Sequence, residues 1–576
     1  GEMDAIERLV ARIRASLLRE FMRDVDAQGF GDWPGTAVAA TAKRAIIPAL
    51  LMIALLAGGA AAVGAQAPEA GLTIVIDPAT AGPTISRDLF GQFAEQLGEG
   101  VYGGIWVGRD SRIPNVRGIR SDVVAALRAL QVPVVRWPGG CFAEHYHWRD
   151  GVGPAEARKA TVNMWGNVVE TNAFGTDEFM DFVDQIGSEA YVAVNVGSGS
   201  PEEASDWLEY LTTDLPTTLG KLRAANGHAA PYHLKYVGLG NESWGCGGGM
   251  KAATYVERMK GFATFARNLN PSQQGPWPML RGPDSVQRVA VGPDAGNTEY
   301  TEAVMQSWTE RIPYAWGIEG LSMHLYTSGG DFMTKSSTEF GEADYALILR
   351  ETLGMDTLIA RHASIMDRYD PKKEMSLVVD EWGVWLQPLP GTNPGFLRQQ
   401  NSLRDAIAAS LNLNIFARHA DRVRMTNIAQ MVNVIQSMIL TDGARMLLTP
   451  TYHVYRMYVP FHDARLLAMS FEPGEYASGD IRLPRIDAIA ARAADGSVWL
   501  AVTNLDPRRG VAISVSERGA TLRSAAGSTL TADRVDSINT FQAPRSVVPG
   551  PIAAQANGAG IVLHVAPKSV TVVKLQ

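Results

Sequence analysis

Cysteine is nearly absent: Cys141 and Cys246 are the only two among 576 residues. Two cysteines permit at most one bridge and exclude a disulfide framework. A basic excess is missing as well, with 52 Lys plus Arg against 60 Asp plus Glu and a formal charge of −8. A surface that tracks phosphates needs the opposite balance, so no nucleic-acid partner is expected. No Gly-rich turn follows the first predicted strand, which removes the usual sign of nucleotide binding. No G-x-S-x-G elbow sits at a strand–helix turn, so Ser-His-Asp chemistry has no support. Internal repeats are lacking, and so is any low-complexity linker after residue 68. What is present, 46% hydrophobic and 19% charged residues with 57 Gly and 31 Pro, is the composition of an ordinary folded protein. At about 100–200 residues per domain, the length has room for two or three domains.

A long apolar run lies near the N-terminus. Lys43-Arg44 precede residues 45–63, which end in Val63-Gly64-Ala65-Gln66-Ala67. A basic flank, an apolar stretch and an A-x-A-like site form the pattern of a secretory signal. Upstream of it lies an amphipathic helical pattern of Ile6, Leu9, Val10, Ile13, Leu17, Leu18 and Phe21. The expectation is a secreted or periplasmic protein with a cleaved signal from Lys43 to Ala67. A membrane anchor is the alternative, since roughly 19 apolar residues just span a bilayer. On either reading, residues 1–67 form an extension outside the fold.

From residue 71 short β-rich runs alternate with helical patterns. The runs cover 90–95, 132–140, 190–197, 236–242, 288–294, 321–326, 376–382 and 422–432. Ser121 reads as the cap of the helix beginning Asp122-Val123-Val124, and Thr176-Asp177-Glu178 opens another with Phe179, Phe182, Val183 and Ile186 on one face. A third runs from Ser402 through Phe416. Eight strands alternating with helices predict an α/β fold of the (β/α)8 TIM barrel type over residues 68–455. A doubly wound open sheet is the structural alternative. From residue 456 the helical period gives way to strands at 486–493, 497–503, 511–515, 529–534, 561–565 and 570–575, read as a C-terminal all-β sandwich over 456–576. The short strand 72–76 is expected to join that sandwich. With Trp499 its only Trp, the sandwich is expected to pack on the barrel rather than bind carbohydrate.

Polar residues at the C-terminal ends of barrel strands are functional candidates. In chain order they are Glu95, Arg136, Asn195, Asn241-Glu242, His324, Tyr326, Asp380-Glu381 and Gln430. Glu242 closes the apolar run of the fourth strand and Glu381 that of the seventh. Those strands face one another across a barrel, which allows two carboxylates to approach to about 5–5.5 Å, the separation that suits double displacement at a glycosidic bond. Like-charge repulsion between them would raise the pKa of the acid. Seven of the 13 Trp (Trp106, Trp137, Trp148, Trp165, Trp244, Trp382 and Trp385) lie in or beside these segments, which favours a sugar over a phosphate as ligand. His145 and His147 beside Glu144 lack a third metal ligand and read as structural, so no metal is expected.

Several of these segments are long enough to compare with a family. They include Gly91-Gln92-Phe93-Ala94-Glu95-Gln96-Leu97-Gly98, Val135-Arg136-Trp137-Pro138-Gly139-Gly140-Cys141-Phe142, Gly238-Leu239-Gly240-Asn241-Glu242-Ser243-Trp244-Gly245-Cys246, Asp380-Glu381-Trp382-Gly383-Val384-Trp385 and Ala429-Gln430-Met431-Val432-Asn433. In order and wording the series resembles glycoside hydrolase family 51, retaining α-L-arabinofuranosidases built as a (β/α)8 barrel plus a β-sandwich. The resemblance implies that Glu242 is the general acid/base and Glu381 the nucleophile. It implies substrate contacts from Glu95, Arg136, Cys141, Asn241, Tyr326 and Gln430, while His324 is either a sugar contact or a histidine of the barrel wall. It implies no cofactor, an arabinofuranosyl-containing polysaccharide or oligosaccharide as partner, and a homo-oligomer, often a hexamer. Gln96 stands where the family usually has His, which puts the support of Glu95 in question. Cys141 stands where many members have Asn. Both cysteines follow strand ends on one face, so a bridge is conceivable, but two free thiols are expected. The expected activity is exo-acting removal of terminal α-L-arabinofuranosyl groups from arabinoxylan, arabinan or their oligosaccharides. Another retaining barrel glycosidase (an endoglucanase or β-xylosidase) and a non-catalytic carbohydrate-binding protein are the alternatives.

Overall fold

The structure, a computed structural model, describes residues 71–274 and 284–576. The amphipathic pattern and the signal-like run both lie outside the described residues. Among the described residues no helix is long and apolar enough to cross a membrane.

All eight predicted runs become the strands of a closed parallel barrel: Gly91–Phe93, Val134–Trp137, Glu189–Val194, Tyr236–Leu239, Gln287–Ala290, Gly320–Thr327, Ser376–Val384 and Val423–Ala429. They are numbered here as the first to eighth barrel strands. The ring closes where Asn427, Ile428 and Ala429 pair with Gly91, Gln92 and Phe93. An open doubly wound sheet is thereby ruled out. Inside, Val134, Tyr191, Val289, Val378 and Met425 form an apolar layer, and the polar residues sit beyond it toward the C-terminal ends of the strands. Most strand residues are buried, so stretches such as 190–194 and 377–379 are apolar without the alternation of a half-exposed strand.

Helix boundaries follow local chemistry. In Thr176–Ile186 the Glu178 carboxylate accepts the Gly175 N–H, while Phe179, Phe182, Val183 and Ile186 are buried. Gly187, at φ 74, ends it in the left-handed conformation that glycine adopts without strain. Ser121 is the first residue of helix Ser121–Leu130 rather than its cap. Arg120 holds the cap position without a side-chain cap bond, and the Asp122 carboxylate accepts the Val123 N–H instead. Helix Leu403–Arg418 is capped by Ser402 and Asp405. It is buried all round because it lies between the barrel and the second sheet. Its Ser410 hydroxyl bonds Thr503 at 2.9 Å, and Asn414 and Arg418 both donate to Asp487.

The second sheet is β-rich as expected, and its hydrogen bonding closes on itself. Leu72–Thr84 pairs antiparallel with Arg465–Phe471 and parallel with Val511–Glu517, joining what would otherwise be two free edges. Ile74, Ile76, Leu500, Val502, Ile513 and Leu563 fill its core. Two of its strands, Arg465–Phe471 and Gly550–Asn557, were not foreseen, and the strand expected at 529–534 runs instead over Ser524–Leu530. The sequences Ser524–Leu530 and Gly550–Asn557 are rich in Ala, Gly and Ser, so neither carries the β-branched signal of a strand.

Candidate active site

Arg136 is the hub of the strand ends. It is 1% exposed, and its guanidinium lies 4.6 Å from the centroid of the Phe93 ring. One nitrogen donates to Glu381 Oε1 at 2.8 Å and another to Asn241 Oδ1 at 2.7 Å, while Asp380 lies 3.5 Å from Nε. Burial alone would lower its pKa, but the charges of Asp380 and Glu381 overcome this and raise it. Tyr326 donates its hydroxyl to Glu381 Oε2 at 2.8 Å, so both oxygens of Glu381 are held.

Glu242 lies opposite. Carboxylate oxygens of Glu242 and Glu381 and a nitrogen of His324 all fall within 4.8 Å of one another. His324 Nδ1 is 2.8 Å from Glu242 Oε1, and its Nε2 is 3.1 Å from Asp380 Oδ1. Burial pushes the Glu242 carboxyl up, and the Glu381 charge adds to this against the opposing bond to His324. For His324, burial would favour the neutral ring, but the charge of Glu381 and the bonds to Asp380 and Glu242 raise its pKa well above 6.5. Asp380 goes the other way: despite burial, Arg136 and His324 hold it below the usual carboxylate range. Tyr191 and Ser322 also donate to Asp380.

Glu95 lies beside this cluster, bonded to Gln430 and to the loop after the second strand. Its Oε1 accepts N–H bonds from Gly140, Phe142 and the Trp165 indole at 3.0–3.1 Å, and Gln430 Nε2 donates to Oε2 at 3.2 Å. Burial and the nearby Glu381 charge push its pKa up to about 7. Gln96 points away from it and donates to the Phe174 carbonyl at 2.8 Å, so the support of Glu95 comes from backbone and indole instead.

The cysteines correct the expectation of free thiols. Cys141 and Cys246 form a disulfide, because the loops after the second and fourth strands bring their Cα atoms to 5.6 Å. Cys141 therefore has no S–H to offer a sugar hydroxyl. The bridge lies against Glu242, with Cys246 Sγ 3.6 Å and Cys141 Sγ 3.9 Å from Oε2.

The structure thus brings together Glu95, Arg136, Cys141, Asn241, Glu242, His324, Tyr326, Glu381 and Gln430. Asn195 stands apart, bonded to Tyr146 O and Ser198. Of the Trp residues, Trp137, Trp148 and Trp382 are fully buried core, whereas Trp165 reaches Glu95 and Trp385 packs edge-on against Tyr326. His147 pairs with Glu203 at 2.9 Å and His145 is exposed, so the two do not converge on a metal site. Sequence reasoning missed Tyr191, Ser322 and the buried Glu144, whose parts depend on contacts between strands far apart in the chain.

Comparison with known proteins identifies the family. Residues 126–316 match the family model of the α-L-arabinofuranosidase 1 domain, and residues 380–569 that of the α-L-arabinofuranosidase C-terminal domain. An intracellular exo-α-L-arabinofuranosidase of Bacteroides ovatus is 40% identical over 85% of this chain and 93% of its own length. The crystal structure of the arabinofuranosidase of family 51 from Xanthomonas axonopodis pv. citri is 46% identical, with a TM-score of 0.83 over 88% of this chain and all of that one. The α-L-arabinofuranosidase from Thermotoga maritima, solved with arabinose, is 28% identical, with a TM-score of 0.73 over 87% of this chain and 99% of that one. One expectation is corrected here. Export through a signal from Lys43 to Ala67, with a membrane anchor as the alternative, is overturned by the Bacteroides ovatus relative, which is named intracellular. A basic flank, an apolar stretch and small residues after it are a compositional pattern that can occur without export. With two domain models in order and relatives matched nearly end to end, the chain belongs to the α-L-arabinofuranosidases of glycoside hydrolase family 51.

Proposed function

We propose that this arabinofuranosidase is retaining and exo-acting, with Glu381 as nucleophile and Glu242 as general acid/base. The observation that carries the reading is the approach of the two carboxylates to within 4.8 Å. Inverting enzymes need room for a water between theirs, about 6.5–9.5 Å, whereas retaining ones sit near 5–5.5 Å. A Glu381 oxygen attacks the anomeric carbon as Glu242 gives its proton to the departing glycosidic oxygen. The glycosidic C–O bond breaks and an arabinosyl ester forms. Water then gives a proton to Glu242 and attacks the same carbon, and Glu381 leaves as a carboxylate. The Glu242 side chain is 20% exposed against 8% for Glu381, which suits a group that must meet both leaving group and water. Arg136 and Tyr326 aim Glu381, Arg136 orients Asn241 toward the sugar, and Glu95 and Gln430 line the furanose side. The exo action of the Bacteroides ovatus relative supports terminal arabinofuranosyl groups of arabinoxylan, arabinan or their oligosaccharides as substrates. A homo-oligomer, tested by light scattering, belongs to the same proposal.

The test is hydrolysis of an aryl α-L-arabinofuranoside in the presence of methanol. Wild type is expected to yield methyl α-L-arabinofuranoside, and Glu381→Ala to lose activity by about 10³-fold or more. The β-anomer as first product, or a Glu381→Ala variant as active as wild type, would overturn the reading.

A further inference from the structure

One buried carboxylate beside the site has no part in this scheme. Glu144, in the turn Cys141–His145 after the second barrel strand, is 2% exposed. Its Oε1 accepts the Asn241 N–H at 2.5 Å, and its Oε2 accepts the N–H groups of Val196 at 2.8 Å and Gly197 at 2.6 Å. A single side chain thus ties the ends of the third and fourth barrel strands to the loop after the second. Close approach is possible because the facing backbone lacks Cβ atoms. One on Gly240 would lie 2.9 Å from Glu144 Oε1, and one on Gly197 3.2 Å from Oε2. The segment it grips is conformationally unusual: Gly240 has φ +92 and Glu242 itself φ +40, a region costly for a residue with a side chain. Such a conformation persists only when the surroundings hold it, and the Asn241 N–H between these two residues is bonded to a carboxylate itself fixed by the Val196 and Gly197 N–H groups.

We infer that Glu144 is a positioning residue for general-acid catalysis: by fixing the Asn241 peptide it aims the Glu242 carboxyl at the oxygen of the departing group. The inference rests on the double-displacement reading. Glu144 touches neither substrate nor reacting atoms, so its loss acts through Glu242. Misaimed acid catalysis hurts poor leaving groups, which need the proton, and spares good ones, which do not. A general loosening of the pocket would instead lower kcat/KM alike for all leaving groups.

The experiment compares kcat/KM for 2,4-dinitrophenyl and 4-methoxyphenyl α-L-arabinofuranosides in wild type, Glu242→Ala, Glu144→Gln, Glu144→Asp and Gly197→Ala. Glu144→Gln sets an amide N–H₂ against a backbone N–H, and is expected to lose about tenfold or more on the methoxyphenyl substrate but less than about threefold on the dinitrophenyl one. Glu144→Asp keeps a carboxyl group and should recover part of the loss. Gly197→Ala crowds Oε2 at 3.2 Å and the Gly247 carbonyl at 3.1 Å without removing the carboxylate, and should show the same pattern more weakly, which keeps the test decisive if Glu144→Gln fails to fold. Equal losses on both substrates, or none, overturn the inference. Glu242→Ala is the reference. If it too lacks leaving-group dependence, the acid/base assignment fails; if it shows the dependence while the Glu144 and Gly197 variants do not, this inference alone fails.

Discussion

His324 stands between two carboxylates that must behave differently, with Glu242 on one ring nitrogen and Asp380 on the other. Its proton is held by the surrounding negative charge, and the bond to Glu242 in turn restrains the rise that burial imposes on that carboxyl. Removing the ring removes a lowering influence, so the Glu242 pKa moves further up. Because the acid acts only when protonated, kcat/KM falls as pH rises through that pKa. His324→Asn is therefore expected to shift the alkaline limb of the kcat/KM profile to higher pH while lowering kcat. Profiles of the two proteins between about pH 5 and 9 check this, and an unmoved or lowered limb contradicts it. The residues of this site differ in how far the sequence discloses them. Glu242 and Glu381 end apolar runs, and that pattern alone marks them as groups at the mouth of a barrel. Glu144 has no such signature, since what it does is set by backbone N–H groups about 50 and 100 residues further along. His324 reads from sequence as either a wall residue or a site residue. In the structure it has both characters, being buried in the wall and bonded to Glu242.

At the scale of elements, the turn after the second barrel strand is fastened twice, by Glu144 and by the disulfide to the loop after the fourth strand. That bridge closes a sequence separation of 105 residues. A crosslink over so long a loop removes conformational freedom from the unfolded chain, and typical values are about 2–4 kcal/mol. Thiol titration of the denatured protein is expected to find no free thiol before reduction and two after it. Reduction should also lower the urea midpoint. Two thiols without prior reduction would contradict the bridge. The elements themselves were legible where local chemistry and burial agree. Thr176–Ile186 announces its start and its apolar face, and barrel strands such as Glu189–Val194 and Ser376–Val384 announce themselves by apolar stretches. Gly550–Asn557 did not, because it is made a strand by its two neighbours, Ser524–Leu530 and Gly560–Val565, rather than by its own residues.

At the scale of the whole molecule, barrel and second sheet share the buried helix Leu403–Arg418, so disturbance at their seam is felt by both. His462 lies at that seam, just before strand Arg465–Phe471, and stacks on Phe90 of the segment entering the barrel at 4.3 Å. Burial lowers its pKa from 6.5 to about 4, with the Arg87 charge adding to the effect. Between those values the unfolded chain binds a proton that the folded one refuses. Acidification in that window therefore favours unfolding, with a slope approaching 1.4 kcal/mol per pH unit for this group. Glu95 and Glu144 act in the opposite sense: pushed up to about 7, they are protonated in the folded protein at pH values where the unfolded chain has released the proton. The total stability thus mixes both signs, and the contribution of His462 is isolated by difference. His462→Phe keeps a ring on Phe90 and removes the titration. Its stability relative to wild type is expected to rise steadily as pH falls from about 6.5 to 4, and to be independent of pH above about 7.5. Urea unfolding of both proteins across that range measures the difference. A difference that stays flat, or that falls on acidification, would mean that His462 takes up its proton without leaving its place against Phe90.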